Sequence, residues 1–308
     1  MPAAPVVVAL GEPMVEFNQT QPGQPHYLQG FGGDTSNAMI ACARQGVSSA
    51  YVTRIGEDAF GHMLQGLWQA ENVDTQGVAV DASAHTGVYF VTHGGTGHTF
   101  SYLRKGSAAS CMTPVFLPRG LIAGARFLHV SGISQAISTS ACATVFEAIG
   151  VARAAGVKVS FDTNLRLRLW RAEEARAVMT RTIALTDYLL PSLEDMHVLA
   201  QRDTPDEILD WCFVHGAQNV VLKLGEQGCL IATQTERTVV AGHRVDAVDA
   251  TGAGDCFDGA LLARLALGDS LPAAARFANA AAALTTTGYG AVAPLPTRAQ
   301  VEAFLAAA

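Results

Sequence analysis

Asp246-Ala247-Val248-Asp249-Ala250-Thr251-Gly252-Ala253-Gly254-Asp255-Cys256-Phe257-Asp258-Gly259-Ala260 opens like the end of a strand and turns through small residues. It then enters a helical apolar pattern at Phe257, Leu261, Leu262 and Leu265. Gly252, Ala253 and Gly254 have too little bulk to keep a ligand from their backbone. Their N–H groups can surround an oxyanion at the positive end of the new helix, which carries roughly half an elementary charge. A phosphoryl group in transfer is a natural guest. Asp255 stands at the edge of this turn, where a carboxylate could accept the proton of an attacking hydroxyl while the amides stabilise the phosphoryl oxygens. Alone, an Asp before a helix reads as a cap; here an anion hole and a base share one loop.

Outward from that loop, short β-branched apolar runs recur at Val6 to Leu10, Ala50 to Ile55, Phe127 to Val130, Val157 to Phe161, Tyr188 to Pro191 and Val220 to Leu224. Ala-rich stretches with helical spacing, Ser36 to Gln45 and Thr139 to Ala155 among them, lie between several of these runs. Unbroken apolar strands alternating with helices predict a doubly wound, mainly parallel α/β sheet covered on both faces. Two segments break the rhythm. Residues 14–29 and 86–104 are rich in aromatic, Gly and Thr residues, and Gly87 to Thr92 and Thr99 to Arg104 flank the turn-forming His93-Gly94-Gly95-Thr96-Gly97. The expectation is one domain over 1–308 with a small antiparallel β lid from these two segments.

The 308 residues are 49% apolar and 15% charged, enough for an ample core. A formal net charge of −7 gives no electrostatic basis for gripping a nucleic acid. No run of 18 apolar residues is present and Val6 to Leu10 lacks a basic flank, so neither a membrane span nor a secretory signal is expected. Six cysteines without a C-x-x-C pair read as reduced thiols in a cytoplasmic setting. The nine histidines show no zinc spacing.

The string Asp249-x-x-Gly252-Ala253-Gly254-Asp255, with Thr251 before the first Gly, resembles the C-terminal signature of the PfkB or ribokinase-like carbohydrate kinases. The dinucleotide fingerprint G-x-G-x-x-G is absent after the first strand, and so is a Walker A loop. The N-terminal double glycine of that family matches Gly30-Phe31-Gly32-Gly33-Asp34-Thr35-Ser36-Asn37, where Gly33 lets backbone approach a sugar and Asp34 and Asn37 offer short polar groups to its hydroxyls. The resemblance implies ATP and Mg²⁺ as cofactors and leaves a monovalent cation such as K⁺ open. It places Lys223 and Gly225 beside the phosphates or ribose, Thr251, Gly252 and Gly254 on the nucleotide, and Asn279 near the adenine. Glu194 would hold magnesium through water; the Asn that usually stands three residues before it is replaced by Pro191.

Arg166 follows the run Val157 to Phe161 at the predicted carboxyl end of a parallel strand, aimed at the cleft such sheets use for ligands. In the hairpin, alternation puts Tyr102 and Arg104 on one face, with Tyr89 able to join them across the turn; a face for subunit pairing would look the same. Together with Phe161-Asp162-x-Asn164-x-Arg166-x-Arg168-Leu169-Trp170, these residues resemble the 2-keto-3-deoxygluconate kinase branch of the family. That branch implies a sugar acid bound by Gly33, Tyr89, Tyr102, Arg104 and Arg166, with Asp255 deprotonating its terminal hydroxyl. An Arg fork pairs two-pronged with a carboxylate, which favours an acid over a neutral sugar. A fructokinase or ribokinase with the same machinery is the rival reading, and a non-catalytic sugar sensor a distant one. A homodimer through the lid sheets is expected from their exposed edges.

Overall fold

The computed structural model describes residues 5–94 and 97–307; the predicted turn residues Gly95 and Thr96 lie outside them. In chain order the strands are β1 (Val7–Leu10), β2 (Met14–Gln19), β3 (Tyr27–Gly32), β4 (Ser49–Gly56), β5 (Val73–Asp81), β6 (Gly87–Gly94), β7 (Gly97–Leu103), β8 (Phe127–Ser131), β9 (Lys158–Asp162), β10 (Tyr188–Leu189), β11 (Asn219–Lys223), β12 (Gly228–Ala232) and β13 (Arg237–Ala241). The main sheet has nine of them in the order β13-β12-β11-β10-β9-β8-β1-β4-β5. β5 through β11 in that row are parallel, and β12 and β13 close the edge antiparallel.

Alternation explains how one strand feeds two cores. Val7 and Ala9 of β1 pack with the helices Asp34–Arg44, Ala253–Ala266 and Leu271–Thr285, whereas Val8 and Leu10 pack with Thr139–Ala154, Ala172–Ile183 and Pro205–Val214 on the other face. Both layers exclude water, which is why the parallel strands read as unbroken apolar runs. The strand order reverses beside β1, between β8 and β4. A crevice opens at such a reversal beyond the strands' carboxyl ends, and the residues of interest gather there.

The second sheet has the order β3-β2-β6-β7. Its two hairpins, β2–β3 and β6–β7, are antiparallel as expected, and a parallel pairing of β2 with β6 joins them. Met14, Tyr89 and Val91 form its own small buried cluster. Among the described residues no helix is long and apolar enough to cross a membrane.

Candidate active site

Gly252 caps the helix Ala253–Ala266 with φ 77, a left-handed conformation that a glycine adopts without strain. A Cβ there would lie 2.8 Å from the Ala291 carbonyl oxygen, so the turn is also tightly enclosed. Asp249 fastens the loop. One of its oxygens accepts from the Thr251 N–H at 2.9 Å and the Thr251 hydroxyl at 2.6 Å, and the other from Gly290 N–H at 2.8 Å. The amides of 252–254 are thereby held at the start of a helix 14 residues long.

Asp255 lies in the first turn of that helix, and Asn37 Nδ2 donates to its Oδ2 at 2.8 Å. Asn37 comes from the facing helix Asp34–Arg44, which packs so closely that a Cβ on Gly259 would stand 2.1 Å from the Ala38 carbonyl oxygen. Asn37 Oδ1 is buried and has no protein partner among the described residues. Gly33 caps the same helix at φ 113, bringing Asp34 into the site. Asp34 accepts from its neighbour's Thr35 N–H at 2.8 Å and from Asn164 Nδ2 at 2.9 Å. Burial, and then the charge of Asp34, push the Asp255 carboxyl up to about 7, against the lowering effect of the Asn37 hydrogen bond. Burial likewise raises Asp34.

Lys223, at the end of β11, points its ammonium into a carboxylate pair. Nζ lies 3.0 Å from Asp162 Oδ1 at the end of β9 and 3.2 Å from Asp258 Oδ1, one turn beyond Asp255. It is also next to the anion hole, since a Cβ on Gly254 would lie 3.7 Å from Nζ. Burial pushes the Lys223 amine down, but Asp162 and Asp258 outweigh it and hold the group charged.

The second sheet closes over this floor. Tyr89 and Tyr102 face each other in register, their rings stacked at 5.6 Å and 27°. The Tyr89 hydroxyl donates to buried Glu16, whose own carboxyl burial raises. Arg104, just past the end of β7, donates through Nε to Glu12 Oε2 at 2.8 Å and stands 5.5 Å from the Tyr102 ring centre. Ser107 Oγ donates to the other Glu12 oxygen at 2.8 Å. Arg104 therefore has a carboxylate of its own chain as partner. Arg166 is exposed, donates to the Leu165 carbonyl at 3.0 Å and feels the charges of Asp34 and Asp195 without an ion pair among the described residues.

Of the remaining expected residues, Glu194 is exposed in the first turn of the helix Leu193–Ala200. The cap of that helix, Ser192, bridges to Lys223, and Lys223 N–H donates to the Pro191 carbonyl at 2.8 Å, which brings Glu194 to the same end of the sheet. Its neighbour Asp195 turns inward and accepts from Thr163 Oγ1 at 2.7 Å and Leu165 N–H at 3.0 Å. Gly225 turns at φ 61 in the open, and Asn279 Nδ2 donates to the Val240 and Ala241 carbonyls at 3.1 Å each, bracing the wall of β13. The helix-end amides, a buried cation behind them and an exposed carboxylate beside it suit a triphosphate with its magnesium. Glu12 and Glu16 were not singled out from sequence, and Asp162, Asn164 and Asp258 stood within quoted motifs but were given no role of their own.

The family model for "pfkB family carbohydrate kinase" matches residues 5–298. The protein named Probable fructokinase-3 from Arabidopsis thaliana is 36% identical over 97% of this chain and 91% of its own length. A fructokinase from Vibrio cholerae, solved with fructose, ADP and calcium ion, superposes with a TM-score of 0.88 at 33% identity, covering 97% of this chain and 99% of that one. A fructokinase from Xylella fastidiosa with bound ATP gives a TM-score of 0.91 at 25% identity over 98% of both chains. With a matching family model over nearly its whole length, relatives of this identity and the signature loop in place, the chain belongs to the PfkB family of carbohydrate kinases.

Proposed function

We propose that this kinase transfers the terminal phosphoryl of ATP to a terminal hydroxyl of a neutral ketohexose, fructose being the first candidate. Asp255 removes the hydroxyl proton, Gly252, Ala253 and Gly254 stabilise the phosphoryl oxygens through their amides, and Asp34 and Asn37 hold sugar hydroxyls. Magnesium bound with the nucleotide would neutralise phosphate charge, with Glu194 holding it through water. The buried acceptor of Asn37 supports its part: a sugar hydroxyl would supply the partner that is missing among the described residues.

The observation that carries the choice of sugar is the Glu12–Arg104 pair. A sugar acid was expected on the strength of Arg104 and Arg166, and Glu12 is already seated on Arg104 with Ser107 in support. The fructokinase names of the relatives favour the same reading. The 2-keto-3-deoxygluconate reading keeps one support, Arg166, which has no ion pair among the described residues.

Turnover of fructose, ribose, 2-keto-3-deoxygluconate and gluconate with Mg-ATP, followed by ADP release, tests the proposal. Fructose is expected to give the highest kcat/KM, and Glu12→Gln, which frees Arg104, to raise the acid-to-fructose ratio. Preference for the keto-deoxy acid in the parent protein would overturn the neutral-sugar reading while keeping the kinase.

A further inference from the structure

Asp162, Lys223 and Asp258 come from three separate elements, β9, β11 and the helix that carries Asp255, and meet at one ammonium. The contacts are 3.0 Å to Asp162 and 3.2 and 3.3 Å to the two oxygens of Asp258. Asp258 is fully buried, and the side chains of Asp162 and Lys223 are 6% and 14% exposed. Isolated ions are not left in such a place, because removing one partner of a buried ion pair strands the others. An apolar trio would hold a sheet and helix together as well or better. The placement calls for a reason beyond stability.

Position supplies that reason. Asp258 is three residues after Asp255, hence a neighbour on the same side of the helix. Lys223 Nζ is close to Gly254 in the turn before it. A tie at Asp258 fixes both the rotation of the first helical turn and its height above the strand ends, and these two quantities aim Asp255 and the amides of 252–254. The charges facing Asp255 are Asp34 from the helix Asp34–Arg44, Asp162 from β9, Lys223 from β11, Asp258 on its own helix and the Tyr89 hydroxyl from β6. Among these Lys223 is the only cation, so it offsets the carboxylates that make Asp255 hard to ionise.

We propose that Lys223, clamped between Asp162 and Asp258, is a positioning residue that aims the Asp255 turn at the reacting hydroxyl. The proposal rests on the kinase reading above.

The test is the pH dependence of kcat and kcat/KM for the sugar in Lys223→Met, Lys223→Arg and Asp258→Ala, each checked for folding by circular dichroism. In Lys223→Met the acid limb should move up by about one pH unit and kcat at pH 7 fall about tenfold, while Lys223→Arg holds the limb in place. Asp258→Ala keeps the Lys223–Asp162 pair, so it should fold. Its kcat should fall about tenfold with the sugar KM within about twofold, the sign of an aiming defect. A folded Lys223→Met with an unmoved limb and kcat would overturn the proposal. Should Lys223→Met fail to fold, a parent-like kcat in Asp258→Ala would overturn it. Absence of sugar phosphorylation in the parent protein itself would instead refute the kinase reading, so the two failures are separable.

Discussion

Burying the Asp255 carboxyl carries a measurable cost in stability. Its carboxyl is held near 7, whereas in an unfolded chain it would ionise near the ordinary Asp value of about 3.9. Below that ordinary value both states hold the proton and folding bears no penalty. As pH rises toward 7 the unfolded state loses the proton first, and native stability falls until the folded group ionises too. Asp255→Asn abolishes this penalty and can keep the Asn37 contact. Its melting temperature should exceed that of the parent by more at pH 8 than at pH 5, the stability advantage growing by about 2–3 kcal/mol between the two; equal gaps at both pH values, read by thermal melts, would deny the raised carboxyl. Asp255 was singled out in the sequence because the role proposed for it goes with a local string. Lys223 was visible only as a residue near the phosphates, because its partners Asp162 and Asp258 lie 61 and 35 residues away and no local pattern joins them.

At the scale of elements, the helices Asp34–Arg44 and Ala253–Ala266 pack so closely that Gly259 has no room for a side chain. Helix propensity alone says that Gly259→Ala should gain up to about 1 kcal/mol. The new methyl would stand 2.1 Å from the Ala38 carbonyl oxygen, and overpacking of that kind costs about 1–3 kcal/mol. The clash therefore wins: Gly259→Ala should melt lower than the parent and lose kcat, since the Asn37–Asp255 hydrogen bond spans the same gap. Gly66→Ala, in the exposed interior of the helix Ala59–Ala70 with nothing within 4 Å, is the control and should be neutral or stabilising. Buried β12, short and led by Gly228, was not expected as a strand, but the other strands of the layer's interior were legible as apolar runs, with limits such as Ser49–Gly56 and Phe127–Ser131 differing from the expected ones by a residue or so. β5 and β13 were not, because β5 mixes buried and half-exposed residues and β13 is exposed over most of its length. Pairing, not apolar content, makes them strands. The parallel joint between β2 and β6 was hidden for a related reason, since alternation shows which face a residue takes but not which strand lies beside it.

For the whole molecule, the sheet order puts the strand ends of β1, β8, β9 and β11 on one crevice, and the four-stranded sheet lies across it beside Asp255. A closed crevice would keep water from the phosphoryl in transfer, so ATP should be hydrolysed slowly without sugar. The proposed choice of sugar is the least local of these features. Arg104 and Arg166 are both present in the sequence, but which of them is free depends on Glu12, 92 residues from Arg104 in the chain. The most direct test is the rate of ADP release from Mg-ATP with and without fructose, by the parent protein and Asp255→Asn, from pH 5 to 9. Release should depend on the sugar, rise with an apparent pKa of about 7 and fall by about 10²–10⁴-fold in the variant with loss of the limb. An Asp255→Asn protein that matched the parent's rate and pH profile would contradict this expectation.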